Sequence, residues 1–149
     1  MADFDGFAEL RTSNDLIVKL SHDLVRLKSS PNNQYIAFDF FITAEHIIDW
    51  IHPSDKAARE ALRNSSELLR ITSHIANGAK HFEAKAKHHQ SVTDIKKVRY
   101  AEVDYAEDGY FEDPIIIHLT TNEAVTMGQS VIEVTELAQK VYDYWKSNT

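Results

Sequence analysis

The chain contains no cysteine, and no apolar run in it approaches the roughly 20 residues that a membrane-spanning helix needs. Without thiols it forms neither disulfides nor thiolate metal sites, so any metal would need histidine and carboxylate ligands. The first residues, MADFDGFAEL, lack the basic and apolar regions of a secretory signal peptide. A length of 149 residues with 43% hydrophobic content suits one domain. These features predict a single domain over residues 1–149, soluble, cytoplasmic and without membrane association.

Basic residues are fewer than acidic ones, 16 against 23, so the formal net charge is −7. This balance disfavours indiscriminate binding to nucleic acids or anionic membranes. Basic residues nevertheless cluster between Lys80 and Arg99, and acidic residues follow from Glu102 to Asp113. Two interpretations are open: two solvated surfaces of opposite sign, or a local anion-binding site in a protein that otherwise repels polyanions.

Apolar residues recur at helical spacing through most of the first half. The stripe over 15–27 predicts a first helix that stops at the SSPNN segment, residues 29–33. The segment YIAFDFFITAEHIIDWI, residues 35–51, is apolar on nearly every side, which is typical of a central buried helix. We expect a short helix at about 55–63 and a longer one at about 66–87, with capping-box spacing before the second.

The apolar period changes after residue 91. The segments VRYAEVDY (98–105), IIIHLTT (115–121) and NEAVTM (122–127) predict three antiparallel strands. Ser130 and Glu133 have capping-box spacing at the start of a final amphipathic helix. The expected fold class is therefore mainly α: a helical bundle of four to five helices, with a small three-stranded antiparallel β-meander before the last helix.

The central helix carries polar groups that need partners if they are buried. Glu45, His46 and Asp49 adjoin on one side of it, because they are three and four residues apart. One interpretation places the two carboxylates at a seam, where they accept hydrogen bonds from Arg or His on neighbouring helices. A second is a carboxylate and histidine metal site, but no other predicted helix supplies a matching Glu-x-x-His, so we expect no metal and no cofactor.

A polar stripe runs along the longer helix, with Arg70, His74, Asn77 and His81 at steps of three and four. One interpretation is a solvent-exposed face whose basic end suits the helix dipole; the other is a binding site. Asn77 and Gly78 both weaken a helix interior, which favours a site. Gly78 also falls in the apolar register, so we expect the central helix to approach closely there and a larger side chain to overpack.

The segment ANGAKH, residues 76–81, resembles the core of the HEPN superfamily signature, in which Arg and Asn precede a His on one helix of a small bundle. Asn77 and His81 match that spacing, and Ala76 stands in place of the Arg. The resemblance implies metal-independent RNA cleavage, in which the 2′-hydroxyl attacks the adjacent phosphate with a His as acid or base and an Arg holding the phosphate charge. His81 suits the proton transfer, and the substitute clamp for the phosphate is either Arg70 or a residue from a second subunit. Members without the signature resemble binding or partner modules.

The combination of FDFFITAEHIIDW with ANGAKHF also resembles a set of small bacterial or phage proteins, and that resemblance implies no activity.

The expected function is a non-catalytic binding module on a HEPN-like frame that recognises a protein partner or a small anionic ligand. The alternative is a metal-independent HEPN-like ribonuclease of a defence or toxin–antitoxin system, with RNA as substrate; a homodimer is also left open. The predicted ligand-binding residues are His74, Asn77, Lys80 and His81 on the longer helix, with Glu45, His46 and Asp49 on the central one. In the nuclease, the catalytic residues would be His81, Asn77 and Arg70.

Overall fold

The computed structural model describes residues 6–81, 91–97 and 114–148, with the backbone alone for 79–81. In chain order its elements are α1 (Ser13–Ser29), α2 (Gln34–Ile51), α3 (Lys56–Asn64), α4 (Glu67–His81), β1 (Val92–Lys97), β2 (Ile115–Leu119), α5 (Thr121–Met127), β3 (Val131–Glu133) and α6 (Val134–Ser147). The predicted class is confirmed, since the fold is mainly helical with a small three-stranded antiparallel sheet before the last helix. The described ranges hold six helices rather than four to five.

Side-chain caps fix where the first helices begin. The Thr12 hydroxyl and the Asp15 carboxylate form a reciprocal capping box at the start of α1. The Asn33 side chain accepts hydrogen bonds from two backbone N–H groups of α2, and the Asp55 carboxylate accepts one from α3. The Ser66 hydroxyl accepts from the Leu68 backbone N–H at 3.2 Å at the start of α4. The helices α1, α2 and α3 confirm the first three predicted helices, and their ends lie within two residues of the predicted ones.

The α2 helix lies at the centre of the fold, as its all-round apolar sequence predicts, and it packs against α1, α3, α4 and α6. Phe40, Phe41, Ile47 and Ile48 of α2 are fully or almost fully buried. The sheet joins the same core through Ile117 and Ile132, and α6 through Trp145 and Leu137. None of the described helices combines the length and apolar character needed to cross a bilayer.

The sheet has the strand order β1-β2-β3, with both pairs antiparallel. Burial alternates along β2, where Ile115, Ile117 and Leu119 face the helices. In the first pair Ile95 stands opposite Ile117 and Lys97 opposite Ile115, while the register shifts between Val92 and Asp94. Residues directly opposite in an antiparallel pair project to the same face, so Ile95 and Lys97 share the face of the buried isoleucines.

Of the three predicted strands, IIIHLTT is confirmed as β2, NEAVTM was wrong, and the segment 98–105 is not tested. NEAVTM forms most of α5, because the carboxylate of Glu123 is drawn inward to Arg70 and Gly128 ends the helix in the left-handed conformation. The third strand is Val131–Glu133 instead. The segment 98–105 lies outside the described residues, and β1 is formed by Val92–Lys97, which precedes it.

The predicted capping box of the last helix was also wrong. The α6 helix begins at Val134, and the Glu133 carboxylate accepts hydrogen bonds from the backbone N–H groups of Thr135 and Glu136. Ser130 has a different role, because its carbonyl accepts from the backbone N–H of Leu119 and extends the pairing of β2 with β3.

The expected close packing at Gly78 was wrong as well. A Cβ placed on Gly78 would meet no atom of a described residue within 4 Å beyond its own helix. The helical register did place this glycine on the inner side of α4, but the space beside it is open. Gly78 therefore leaves room in the fold instead of allowing two backbones to approach.

Two glycines should respond oppositely to alanine. Gly78→Ala should raise the free energy of unfolding by up to about 1 kcal/mol, because alanine favours a helix interior. Gly128→Ala should lower it by about 1 kcal/mol, because Gly128 has a φ of +76°, which alanine rarely adopts. Urea denaturation of both variants beside the parent measures this. A clear loss of stability in Gly78→Ala would mean that a neighbouring element does pack against Gly78.

Candidate functional site

The described residues form a cleft of about 550 Å³ between α2, α4 and the inner side of the sheet. Most of its lining is apolar. Its lining residues are Gln34, Ala37, Phe38 and Phe41 of α2, His74, Ile75 and Gly78 of α4, Val92, Thr93, Asp94 and Ile95 of β1, Ile115 and Ile117 of β2, and Val134 of α6. Small-molecule sites in proteins usually occupy about 300–1,000 Å³ and are lined mainly by apolar side chains with a few polar groups.

The cleft exists because facing elements do not close on each other. Phe38 is 47% exposed and Ile95 is 45% exposed, although both lie on elements that contribute to the core. The register puts Ile95 on the same face as fully buried Ile117, so its exposure marks the place where the helices stop covering the sheet. Gly78 widens this gap, since it contributes no side chain.

His74 lies at the cleft and also holds the start of β1. Its Nδ1 accepts hydrogen bonds from the backbone N–H groups of Ser91 and Val92, both at 3.0 Å. Nδ1 must therefore be unprotonated in this arrangement. His74 was predicted as a ligand-binding residue. The structure places it in the cleft lining, where it also accepts the two hydrogen bonds that hold the start of β1.

Arg70 belongs to a polar network that meets the hydrogen bonds of His74 at Ser91. Its Nε donates to Oε1 of Glu123 at 2.8 Å and Nη2 donates to Oε2 at 3.3 Å, while Nη1 donates to the carbonyl of Asn64 at 2.8 Å. Glu123 is buried and also accepts from the Ser91 hydroxyl at 3.3 Å. The guanidinium thus ties α4 to α5, and Glu123 extends the link to Ser91, the residue before β1.

The rest of the predicted polar stripe does not form a described cluster. The Asn77 amide donates to the carbonyl of Ser73, one turn back in the same helix, at 2.8 Å. The side chains of Lys80 and His81 lie outside the described atoms. Ala76, which stands where the HEPN signature has Arg, is buried. Among the predicted binding residues with described side chains, His74 alone lines the cleft.

The three predicted site residues of α2 point in different directions. Glu45 is buried, whereas His46 and Asp49 are exposed. Arg63 of α3 donates from Nε and Nη2 to Oε1 of Glu45 at 3.2 and 2.9 Å, and Arg59 of α3 lies 3.7 Å from Asp49. This geometry agrees with the seam interpretation, in which both carboxylates pair with arginines of a neighbouring helix. Within the described ranges no group of three His, Asp or Glu side chains is placed to bind a metal.

The surroundings of Glu45 change its acidity. Burial raises the pKa of Glu45 to about 7, against the lowering effects of Arg63 and the nearby Ser73 hydroxyl, and Asp49 adds to the rise. Its Oε2 is buried without a hydrogen bond to any residue that the structure describes. The loss of hydration at Oε2 therefore raises the pKa of Glu45 more than the ion pair between Oε1 and Arg63 lowers it.

The residues that shape the cleft were not predicted as site residues. Phe38, Phe41, Ile115 and Ile117 look in sequence like ordinary core positions, and Ile95 lies before the segment that was predicted as the first strand. The one available signal was Gly78 in the middle of an apolar register, which was read as close contact instead of open space.

Compared with known proteins, the chain matches no family model, no curated protein and no solved structure at significant similarity.

Replacing His74 tests its structural duty. His74→Phe keeps a ring but removes the acceptor, so the N–H groups of Ser91 and Val92 lose their partner and the free energy of unfolding should fall by about 1–3 kcal/mol. His46→Phe is the matched control, because His46 is exposed and should change stability by no more than about 0.5 kcal/mol. Chemical denaturation compares them. Equal effects of the two substitutions would contradict the assignment.

Glu45→Gln tests the raised pKa. A carboxyl with a raised folded-state pKa contributes stability that is complete below its unfolded value of 4.5 and is lost as pH rises through about 7. Between those pH values the free energy of unfolding of the parent should therefore fall by up to about 3 kcal/mol relative to that of Glu45→Gln, at about 1.4 kcal/mol per pKa unit.

Urea denaturation at pH 4.5, 6 and 8 measures this difference for Glu45→Gln. The control is Asp39→Asn on the exposed side of the same helix, because Asp39 does not contribute to the pKa shift of Glu45. A Glu45→Gln difference that stays constant with pH would mean that the carboxylate remains charged with Arg63 throughout.

Proposed function

We propose that the protein is a non-catalytic binding module and that its cleft takes the apolar part of a small ligand. The observation that carries the proposal is the cleft itself, about 550 Å³ between α2, α4 and the sheet. Apolar side chains from both layers face an open space there, so burial of a ligand's apolar surface would supply the binding free energy.

The polar groups at the cleft support binding in preference to catalysis. The titratable residues in its described lining are His74 and Asp94. His74 is engaged through Nδ1, and the Asp94 carboxylate accepts from the backbone N–H of Ile95 at 2.8 Å and pairs with Lys96 at 3.1 Å. General acid–base or nucleophilic chemistry needs such groups directed at the substrate, and these are directed at the protein.

The ribonuclease alternative has weaker support. It needs a cation near His81 to hold the phosphate charge, and Arg70 is occupied by Glu123 and by the carbonyl of Asn64. The other position for that cation in the signature is Ala76, which is buried. RNA cleavage by the purified protein, lost in His81→Ala, would favour the nuclease over the binding module.

Filling the cleft tests the proposal. Gly78→Leu should place a side chain in the open space without a steric penalty at Cβ, so binding of a neutral apolar probe such as Nile red should weaken at least ten-fold while the thermal midpoint is kept. Ala61→Leu is the matched control, since it adds the same side chain at an exposed position of α3, away from the cleft. Fluorescence titration gives both affinities.

Nile red binding that Gly78→Leu and Ala61→Leu leave equally strong would overturn the proposal. Absence of any binding to the parent would overturn it too. A lower melting temperature in Gly78→Leu alone would show that the space is not open, which removes the observation on which the proposal stands.

A further inference from the structure

We infer that the ligand of the cleft carries a carboxylate on an apolar body, and that Lys97 supplies the positive charge for it. This inference rests on the proposed function, because it names the chemical class that the same cleft selects. It assigns a specificity role to a residue that the sequence shows only as one of several lysines in a basic region.

The strand register places Lys97 at the cleft side of the sheet. Lys97 stands opposite Ile115, and Ile95 stands opposite Ile117. Both isoleucines of β2 line the cleft. Because opposite residues share a face, Lys97 projects from the same side of the sheet as the cleft lining, one step beyond Ile95 on that face. A lysine stem can lie along apolar surface while its ammonium stays in water.

Lys96 provides the contrast. It stands opposite Ile116 and therefore projects from the other face, where its ammonium pairs with Asp94 at 3.1 Å. Lys97 is exposed, and its ammonium forms no ion pair or hydrogen bond with any residue in the described ranges. Of two consecutive lysines, one is compensated on the outer face and the other is available on the face of the cleft.

Charge complementarity then selects the ligand class. Asp94, the acidic residue in the described lining, stands opposite His118 on the outer face of the sheet, where the Lys96 ammonium and the Ile95 N–H satisfy its carboxylate. Among the described residues, Lys97 is the lysine on the cleft face of β1, and an apolar interior beside its ammonium matches an amphipathic molecule that bears one negative charge. One lysine is a point charge without the planar fork that favours multiply charged phosphates, so the carboxylate of a free acid is the better fit.

Three probes with the same ten-carbon chain separate charge from apolar burial: decanoate, decanol and decyltrimethylammonium. At pH 8, in low salt and below micelle-forming concentrations, isothermal titration should show the parent binding decanoate most tightly. Lys97→Met should weaken decanoate roughly three- to ten-fold, the range for a partly exposed, charge-assisted contact. Lys96→Met is the matched control and should leave decanoate binding within about two-fold of the parent.

Charge reversal sharpens the test. Lys97→Glu should bind decanoate more weakly than Lys97→Met does and decyltrimethylammonium more tightly than the parent does, while its affinity for decanol should change little. Equal binding of decanoate and decanol by the parent, or equal effects of Lys96→Met and Lys97→Met, would overturn the inference and leave the proposed function standing. Failure of all three probes in the parent would overturn both. Both lysines are exposed, so the variants should fold, and their melting curves verify it.

Discussion

The position of the sheet depends on one junction of polar contacts between α4 and the segments that begin β1 and α5. His74 accepts two backbone N–H groups at Ser91 and Val92, and Arg70, one turn earlier on α4, holds Glu123 of α5. The Ser91 hydroxyl joins the two halves through its hydrogen bond to Glu123. Because the groups are buried or half-buried, loss of one partner leaves the others unsatisfied at a cost of about 1–3 kcal/mol each. One turn of helix thus sets where the sheet meets the bundle.

The cleft follows from that junction. The first residues of β1 are fixed by His74, and the register shifts between Val92 and Asp94, which turns the rest of the strand relative to its start. Its neighbour β2 is the middle strand and is held in the core by Ile117. From Ile95 onward β1 therefore extends past the helices that cover β2, and the uncovered inner face of the strand becomes one wall of the cleft.

The same junction explains which parts of the fold could be predicted from the sequence. The early helices depend on local signals, such as the apolar period and the caps at Thr12, Asn33 and Asp55, so the sequence locates them. Whether NEAVTM is a helix or a strand depends on the partner of Glu123, which is 53 residues away in sequence. Periodicity contains no information on such a contact. Arg70 and His74 of the predicted polar stripe make hydrogen bonds that hold the fold together, and no local sequence pattern separates such a structural role from ligand binding.

Three local preferences are broken at one place, and this is the strongest physical reason to regard the cleft as functional. Gly78 weakens the middle of α4 where a methyl group would fit, and Phe38 and Ile95 keep nearly half of their surfaces in water. A single exposed apolar side chain is ordinary, and a single helix glycine costs only about 1 kcal/mol. All three nevertheless line the same cavity. Alanine at Gly78 should stabilise the helix, so stability alone does not explain the glycine or the open space beside it, whereas the proposed ligand with an apolar body would.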